Sequence, residues 1–398
     1  MDSLQHFSTL ISSITVAKPW GIDVPNYFWF TGSSAAAFII SSFAHVFGWK
    51  KYKPIAGISL LMAFVLLVAA PLNLIDDLRQ PGRVLNFFMY GWENFPTSPM
   101  KWGGLLLMAY PILIFFEAQA LYRVYFVKKA QNSSGIVKAF NTLFTFGNMD
   151  TSEKALAKDH RKGFILGAIG IPLALAVHGY TGYILGAVHA NVMWHTPLMP
   201  IIFLASAMVS GTGLLLILIP LFQRFLSERK RVDKDMVATL ARLLSWFIVS
   251  DLVMRFLWLT FSLTFANGEK YGLYNYFNLH FSDTLWIDYV LCLFIPMIIG
   301  FTKLRYIPSV VYFGGIVTAV GVWLFRWNTV IGGQEIPRTT PGFLHYTPPM
   351  FGQDSIVAVL SNWGIFFALV SAVLLIFPWD EEMEDCYEGY EGVEHAKK

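Results

Sequence analysis

Charge is what this sequence has least of. Asp, Glu, Lys and Arg make up 14% of its 398 residues, against about 25% in a water-soluble domain. Hydrophobic residues reach 55%. A chain this poor in charge cannot cover a surface in water, so the composition calls for lipid as solvent. Cysteine is nearly absent too, with only Cys292 and Cys386. A haem-free iron–sulfur cluster or a structural zinc held by this chain alone would need about four ligands, mostly Cys or Cys plus His. Neither that nor a disulfide framework is available. Cys292 lies in an apolar run and reads as a buried, inert thiol. The net charge of +3 is uninformative, and no nucleic-acid partner is expected. The first 25 residues lack a basic leader followed by a long apolar core, so no cleavable signal peptide is expected.

Long apolar runs are abundant. A membrane-spanning helix needs about 20 mostly apolar residues. Nine segments qualify: 26–47, 55–75, 104–126, 163–186, 197–222, 238–265, 284–301, 307–326 and 356–377. The fold class is therefore an all-α integral membrane protein with nine transmembrane helices. Lysine and arginine fix its orientation. One set of alternate loops carries 19 of the 29 basic residues; the other set, with the N-terminal segment, carries six. By the positive-inside rule the N-terminus is outside and the C-terminus cytoplasmic. The bacterial inner membrane is the expected location. The tail after Trp379 holds eight acidic residues and little that could form a core. The basic 128–162 loop is expected to form surface helices at most. The outer loops 76–103, 187–196, 266–283 and 327–355 are rich in aromatic residues, Pro, Gly and Asn. Such loops suit packing against each other or against a partner.

Ionisable groups inside a bilayer are functional candidates by default, because an unpaired one is costly. Asp251 and Arg255 lie four apart in the sixth span and share a helix face. They read as a station on a proton path, or as a structural ion pair. Glu117, in the inner half of the third span, is expected to be protonated or paired. Asp288 and Arg326 lie near the outer ends of their spans, placed to pair across neighbouring helices, with interfacial snorkelling as the alternative. Only His45 and His178 fall within spans, and at opposite depths, so no bis-His haem is expected. His178, in an outer half, is suited to donate to a quinone carbonyl and to exchange protons near neutral pH; a packing role is the alternative. His189 and His195 read as interfacial residues. At the outer end of the second span, Asp76, Asp77, Arg79 and Arg83 lie close in sequence. Arg–carboxylate pairs are directional, so this stretch reads as a headgroup site or a loop tether.

The stretch Asp76-Asp-Leu-Arg-Gln-Pro-Gly-Arg83, followed by Asn94-Phe-Pro-Thr-Ser-Pro-Met-Lys-Trp-Gly103, resembles signatures of the polysulfide reductase membrane-subunit family (NrfD/PsrC). So do Pro19-Trp-Gly-Ile-Asp-Val-Pro-Asn26 and Trp194-His-Thr-Pro-Leu-Met-Pro200. Arg326-Trp-Asn-Thr-Val-Ile-Gly-Gly-Gln334 is similar to a longer branch of that family. The likeness covers residues 19–334. It implies two four-helix bundles, at 26–186 and 187–326, between a periplasmic segment 1–25 and a periplasmic loop 327–355. The helix 356–377 and the acidic cytoplasmic tail 378–398 are then additions.

The resemblance further implies a quinone pocket near the outer face and no haem or iron–sulfur cluster in this subunit. Menaquinone would bind as substrate. Electrons would pass to or from a periplasmic ferredoxin-like iron–sulfur subunit, which joins a molybdopterin-family subunit and in some complexes a multihaem cytochrome c. On this reading Asp23, Asn26, Arg79, Arg83 and His178 form the headgroup site, with Asp76 and Asp77 orienting the arginines. Asp251, Arg255 and Glu117 connect it to the cytoplasm. Menaquinone reduction is favoured over quinol oxidation by a polysulfide- or tetrathionate-type reductase. A secondary transporter is the rival from another class, and would require a midplane site with broken helices. A purely structural anchor would bind no quinone.

Overall fold

The computed structural model describes residues 20–379 apart from 79, 228–230, 266–269, 337–342 and 345. Among the described residues there are helices and no strands. In a bilayer every backbone polar group must be satisfied internally, and the uninterrupted apolar runs do so as helices. The nine long ones are α1 (Asp23–His45), α2 (Lys53–Asp77), α3 (Pro99–Gln131), α4 (Glu153–Gly186), α5 (Met199–Phe225) and α6 (Lys234–Phe265). They continue with α7, which is π-helical over Asp283–Phe294 and α-helical over Ile295–Phe301, then α8 (Pro308–Trp327) and α9 (Ile356–Ile376). A π turn over Asn328–Gly332 prolongs α8. Ser152 and Ser355 cap α4 and α9, their hydroxyls accepting from the Ala155 and Ala358 amides. Helices α3 and α4 outrun the expected spans by polar turns. The short helix Gly135–Phe144 fills the basic loop between them.

Eight of these helices are long and apolar enough to cross a membrane; α1 falls short. Its stretch Thr31-Gly-Ser-Ser-Ala-Ala-Ala37 dilutes its hydropathy, and its side chains from Asp23 to Phe38 are all buried. A helix sheathed by protein needs no apolar face for lipid. It needs small residues, which let neighbouring backbones close in. A Cβ at Gly211 of α5 would lie 2.5 Å from Ala36 Cβ and 2.7 Å from Ser33 O. The perimeter has the opposite character: Phe256 on α6, Ile298 on α7, Leu360 and Leu375 on α9 are exposed large hydrophobics. Such a belt suits contact with acyl chains.

Helix α1 packs on α2, α4 and α5; α3 closes against α2 and α4. Helix α5 packs on α6 and α8, and α7 closes against α6 and α8. Helix α9 lies on α2. The loops segregate to two faces. The basic face carries the α1–α2, α3–α4, α5–α6 and α7–α8 connections. On the opposite face the aromatic loops pack against each other. Trp20 and Trp194 stack at 5.5 Å between centroids, and the Gln334 side chain exchanges two hydrogen bonds with the Trp20 backbone. Asn191 Nδ2 donates to Gly333 O at 2.8 Å, and Tyr346 Oη accepts from the Ile22 amide at 3.2 Å. Lys101, nearly buried, donates to the carbonyls of Phe87 and Tyr90 and pins the α2–α3 loop. The N-terminal segment through residue 19 and the acidic tail from residue 380 lie outside the described residues.

Candidate functional site

Three helices bring amides and carboxyls together just inside the aromatic face. Asn26 on α1 donates to Asn73 Oδ1 on α2 at 2.7 Å. From α9, Asn362 Nδ2 donates to Asn73 Oδ1 at 3.1 Å and to Asp76 Oδ2 at 2.7 Å. The indoles of Trp323 and Trp363 donate to Asn26 Oδ1 at 3.3 and 3.0 Å. The amide network is thus saturated where it is buried, as polar networks in a low-dielectric interior must be. Asp23 is the exception. It lies one turn before Asn26, is fully buried, and neither of its carboxyl oxygens has a partner among the described residues. Asp76, Asp77 and Asp354 are its charged neighbours. Asp77 accepts from the Gly21 amide. A buried carboxylate without donor or cation is costly. Asp23 is therefore the group in this cluster with capacity to take a proton or to accept a ligand's hydrogen bond.

Arg83 is not part of this cluster. Helix α2 ends at Asp77, and the 3-10 turn Pro81–Arg83 carries Arg83 outward, where it is exposed and makes no ion pair among the described residues. Arg79 lies outside the described residues. The expected convergence of two guanidiniums on Asp76 and Asp77 therefore has no support from Arg83.

Deeper in the protein, α4, α5 and α8 meet at Arg326. Its Nη2 donates to Ser206 Oγ at 2.7 Å and to Phe203 O at 3.0 Å, and lies 3.2 Å from His178 Nε2. The guanidinium carbon is 3.8 Å from the Phe203 ring centroid, a cation–π contact that offsets part of the desolvation cost. His178 Nε2 also lies 2.9 Å from Phe203 O. One nitrogen cannot donate to that carbonyl and accept from Arg326 at once, so the ring has two competing hydrogen-bond states. Gly32 of α1 makes room for it: a Cβ there would be 2.8 Å from His178 Cε1.

Asp288 pairs with Arg255 and not with Arg326, correcting one of the expected pairings. Both Asp288 and Arg326 are buried, which removes the snorkelling alternative. Arg255 Nη1 donates to Asp288 Oδ2 at 3.0 Å, and its Nη2 lies 2.8 Å from Asp251 Oδ2. The second contact is a close charge pair outside hydrogen-bond directions. The Arg255 guanidinium lies 3.7 Å from the Phe325 ring centroid, so Phe325 separates it from Arg326 next along α8. Two cations and two carboxylates balance in this group. Both π-helical stretches belong to the helices that carry Asp288 and Arg326; such departures from α geometry concentrate at functional sites. A cavity of about 20 Å³, lined by Trp258, Thr284, Asp288 and Thr329, adjoins the group. That is room for one water.

Glu117 is separate from these residues. His45 Nε2 lies 2.6 Å from Glu117 Oε1, joining α1 to α3 towards the basic face. The expectation that Glu117 is protonated or paired resolves to paired. A second ion pair there was not singled out from the sequence: Arg123 Nε donates to Asp159 Oδ2 at 2.6 Å, and Nη1 donates to the Asn148 and Asp150 carbonyls. Asn73, Asn362, Trp323, Trp363 and Ser206 were missed as well. Asn73 and Asn362 carried a signal, as amides inside otherwise apolar runs.

These features define a class: a polytopic helical membrane protein with buried ionisable groups in chains of contact and polar amides gathered beneath one face. The chain belongs to the NrfD family of polysulphide reductase, whose sequence profile matches residues 11–338. That agrees with the resemblance read from residues 19–334, and leaves α9 beyond the matched region. Relatives extend over nearly the whole chain. A selenate reductase subunit of Mesobacillus selenatarsenatis is 28% identical over 95% of this chain and 90% of its own. The Hdr-like menaquinol oxidoreductase integral membrane subunit of Archaeoglobus fulgidus is 27% identical, with 92% and 85% covered. A tetrathionate reductase subunit of Salmonella typhimurium is 26% identical, with 88% and 89% covered.

Proposed function

We propose that this chain is the quinone-exchanging membrane subunit of a respiratory reductase complex. It binds menaquinone or its quinol beneath the aromatic face, and a periplasmic iron–sulfur subunit docked there carries the electrons onward to a molybdopterin-family subunit. The observation that carries the reading is Asp23: a fully buried carboxyl with no partner among the described residues, held among amides and indoles whose own bonds are satisfied. Oxidation of a quinol releases two protons and two electrons. Asp23 is the acceptor for a headgroup hydroxyl and its proton; Asn26, Asn73, Asp76 and Asn362 fix the surrounding geometry. Arg83, exposed on its turn, is left out of the pocket.

The family resemblance read from the sequence favours quinone reduction. The relatives' names support the opposite direction, since selenate reductase and tetrathionate reductase name acceptors to be reduced, and the Archaeoglobus fulgidus relative is named for menaquinol. We therefore favour quinol oxidation. The alternating basic loops support a periplasmic aromatic face and a cytoplasmic basic face in the inner membrane. The packing order of α1–α4 and α5–α8 supports two four-helix units with α9 as an addition. His178, Arg326, Arg255, Asp251 and Asp288 then form the inward continuation of the site, and His45–Glu117 serves the cytoplasmic end.

Asp23→Asn keeps the shape and removes the titrating group. In the assembled complex it is expected to lower turnover with a water-soluble quinol analogue by at least tenfold while every subunit is retained. Turnover at the parent rate in an intact complex would place the quinone elsewhere.

A further inference from the structure

The basic face holds a site that the quinone reading does not use. A cavity of about 430 Å³ opens between the α1–α2 turn, the first turns of α6 and the α7–α8 turn. That is the size range of small-molecule sites. Among the described residues Lys51, Arg242 and Arg305 converge on it, with Asp235 as the single carboxylate of its lining. Three cations less one carboxylate leave a formal charge of +2. Arg242 is exposed and makes no hydrogen bond or ion pair among the described residues. Among the described residues Lys51 has only the Tyr52 ring, 5.0 Å from its Nζ to the centroid. Arg305 donates to Gly300 O and Tyr306 Oη at 3.4 and 3.3 Å, which leaves guanidinium protons to spare.

Depth decides what this charge faces. Helix α6 begins at Lys234, so Arg242 lies about 12 Å along the helix at 1.5 Å per residue. Trp246, one turn further on the same face, is 57% exposed and packs edge-on against Phe301 at 5.2 Å. Exposed tryptophans of spanning helices belong at the headgroup level of a bilayer. A cationic cavity directly above an exposed aromatic wall matches an amphiphile with an anionic head. Basic pockets between helices near a membrane surface hold such headgroups.

We propose that this cavity binds one anionic phospholipid, its phosphodiester between Lys51, Arg242 and Arg305 and its acyl chains over Trp246 and Phe301. Asp235 accepts from a hydroxyl of the headgroup. The cavity's surplus of two positive charges selects an anionic lipid over a zwitterionic one.

Native mass spectrometry of the full-length protein in detergent tests this. Phosphatidylglycerol, phosphatidylethanolamine and phosphatidylcholine are titrated separately, with and without inorganic phosphate. The expected result is one phosphatidylglycerol retained with at least fivefold preference over both zwitterionic lipids, undisturbed by equimolar phosphate. Arg242→Gln combined with Lys51→Gln removes the preference, and Trp246→Ser weakens retention of phosphatidylglycerol with all charges intact. If the double variant fails to fold, Arg242→Gln alone is read in the same way. Equal retention of the three lipids, undiminished preference in the charge variants, or displacement of the lipid by free phosphate overturns the proposal.

Discussion

Removing Arg255 asks whether charge balance holds α6 to α7. The guanidinium lies 2.8 Å from Asp251 Oδ2 and 3.0 Å from Asp288 Oδ2, and all three side chains are buried. At about 3 Å and an effective dielectric of about 20, each contact represents roughly 5 kcal/mol of Coulomb energy. Desolvation of three charged groups offsets most of that, so the intact set contributes little net stability. Deleting the cation is a different operation. It leaves two buried carboxylates without the cation they touch and only the more distant Arg326 to offset them, and breaking a buried pair in this way costs about 3–5 kcal/mol. Proton uptake by the orphaned carboxyls caps the loss within that range. Arg255→Gln is therefore expected to lower the thermal unfolding midpoint in detergent by on the order of 5 °C or more. Adding Asp251→Asn and Asp288→Asn to the same chain should recover part of the loss, because the uncompensated carboxylates are then gone and Arg326 keeps its bonds to Ser206 and Phe203. An Arg255→Gln protein that unfolds at the parent temperature would refute the reasoning. So would a triple variant no better than the single one, since the arginine would then matter through its packing on Phe325.

Asp251→Asn is expected to fold, assemble and turn over quinol in detergent, yet to lose membrane-potential generation in proteoliposomes; an unchanged potential would leave the pair purely structural. Gly211→Val should cost about 1–3 kcal/mol or prevent folding, because the added atoms meet Ser33 backbone. Gly364→Ala, whose added Cβ meets nothing within 4 Å, should not lower the unfolding midpoint. In the α3–α4 loop the Ser152 amide and hydroxyl both bond the Asp150 carboxylate and hold its pKa below the ordinary range. Its contribution is present above about pH 4, the unfolded value, and is lost as pH falls through the lower folded value. A carbon-13 titration of Asp150 should give a midpoint below that of a model peptide, and Ser152→Ala should raise it.

The sequence made the helices legible because period and length speak for lipid-facing segments. All nine expected spans are helices among the described residues. Helix α1 was legible as a span and not as the central helix, since hydropathy reports apolarity and not enclosure. The Glu117–His45 pair was half legible: the run directions of the first and third spans put both near the basic face. Asp288 and Arg326 illustrate the opposite case. Equal depth made them look like partners, but depth does not fix rotation about the helix axis. Asp288 meets Arg255 and Arg326 meets Ser206. Arg83 failed for a related reason. Adjacency in sequence to Asp76 and Asp77 stops implying adjacency in space once α2 ends and the chain turns outward. Asn73 and Asn362 come from helices far apart in sequence, and no single-sequence pattern joins them.

Helix α8 explains why the polar groups form a line and not a scatter. Trp323 and Arg326 are three apart and so share a face. Trp323 donates to Asn26 in the aromatic-face cluster. Arg326 reaches His178 and Ser206, and the Phe325 ring between them in sequence carries Arg255 on its face. Three residues within one turn thus touch the proposed headgroup site, the histidine with its two hydrogen-bond states, and the Asp251–Arg255–Asp288 group. Contiguity alone is not coupling. It does supply a physical route by which a proton leaving Asp23 could alter the balance at His178, because a small rotation of α8 changes the Trp323 and Arg326 contacts together. The π turn that follows at Asn328–Gly332 lies directly beyond those contacts.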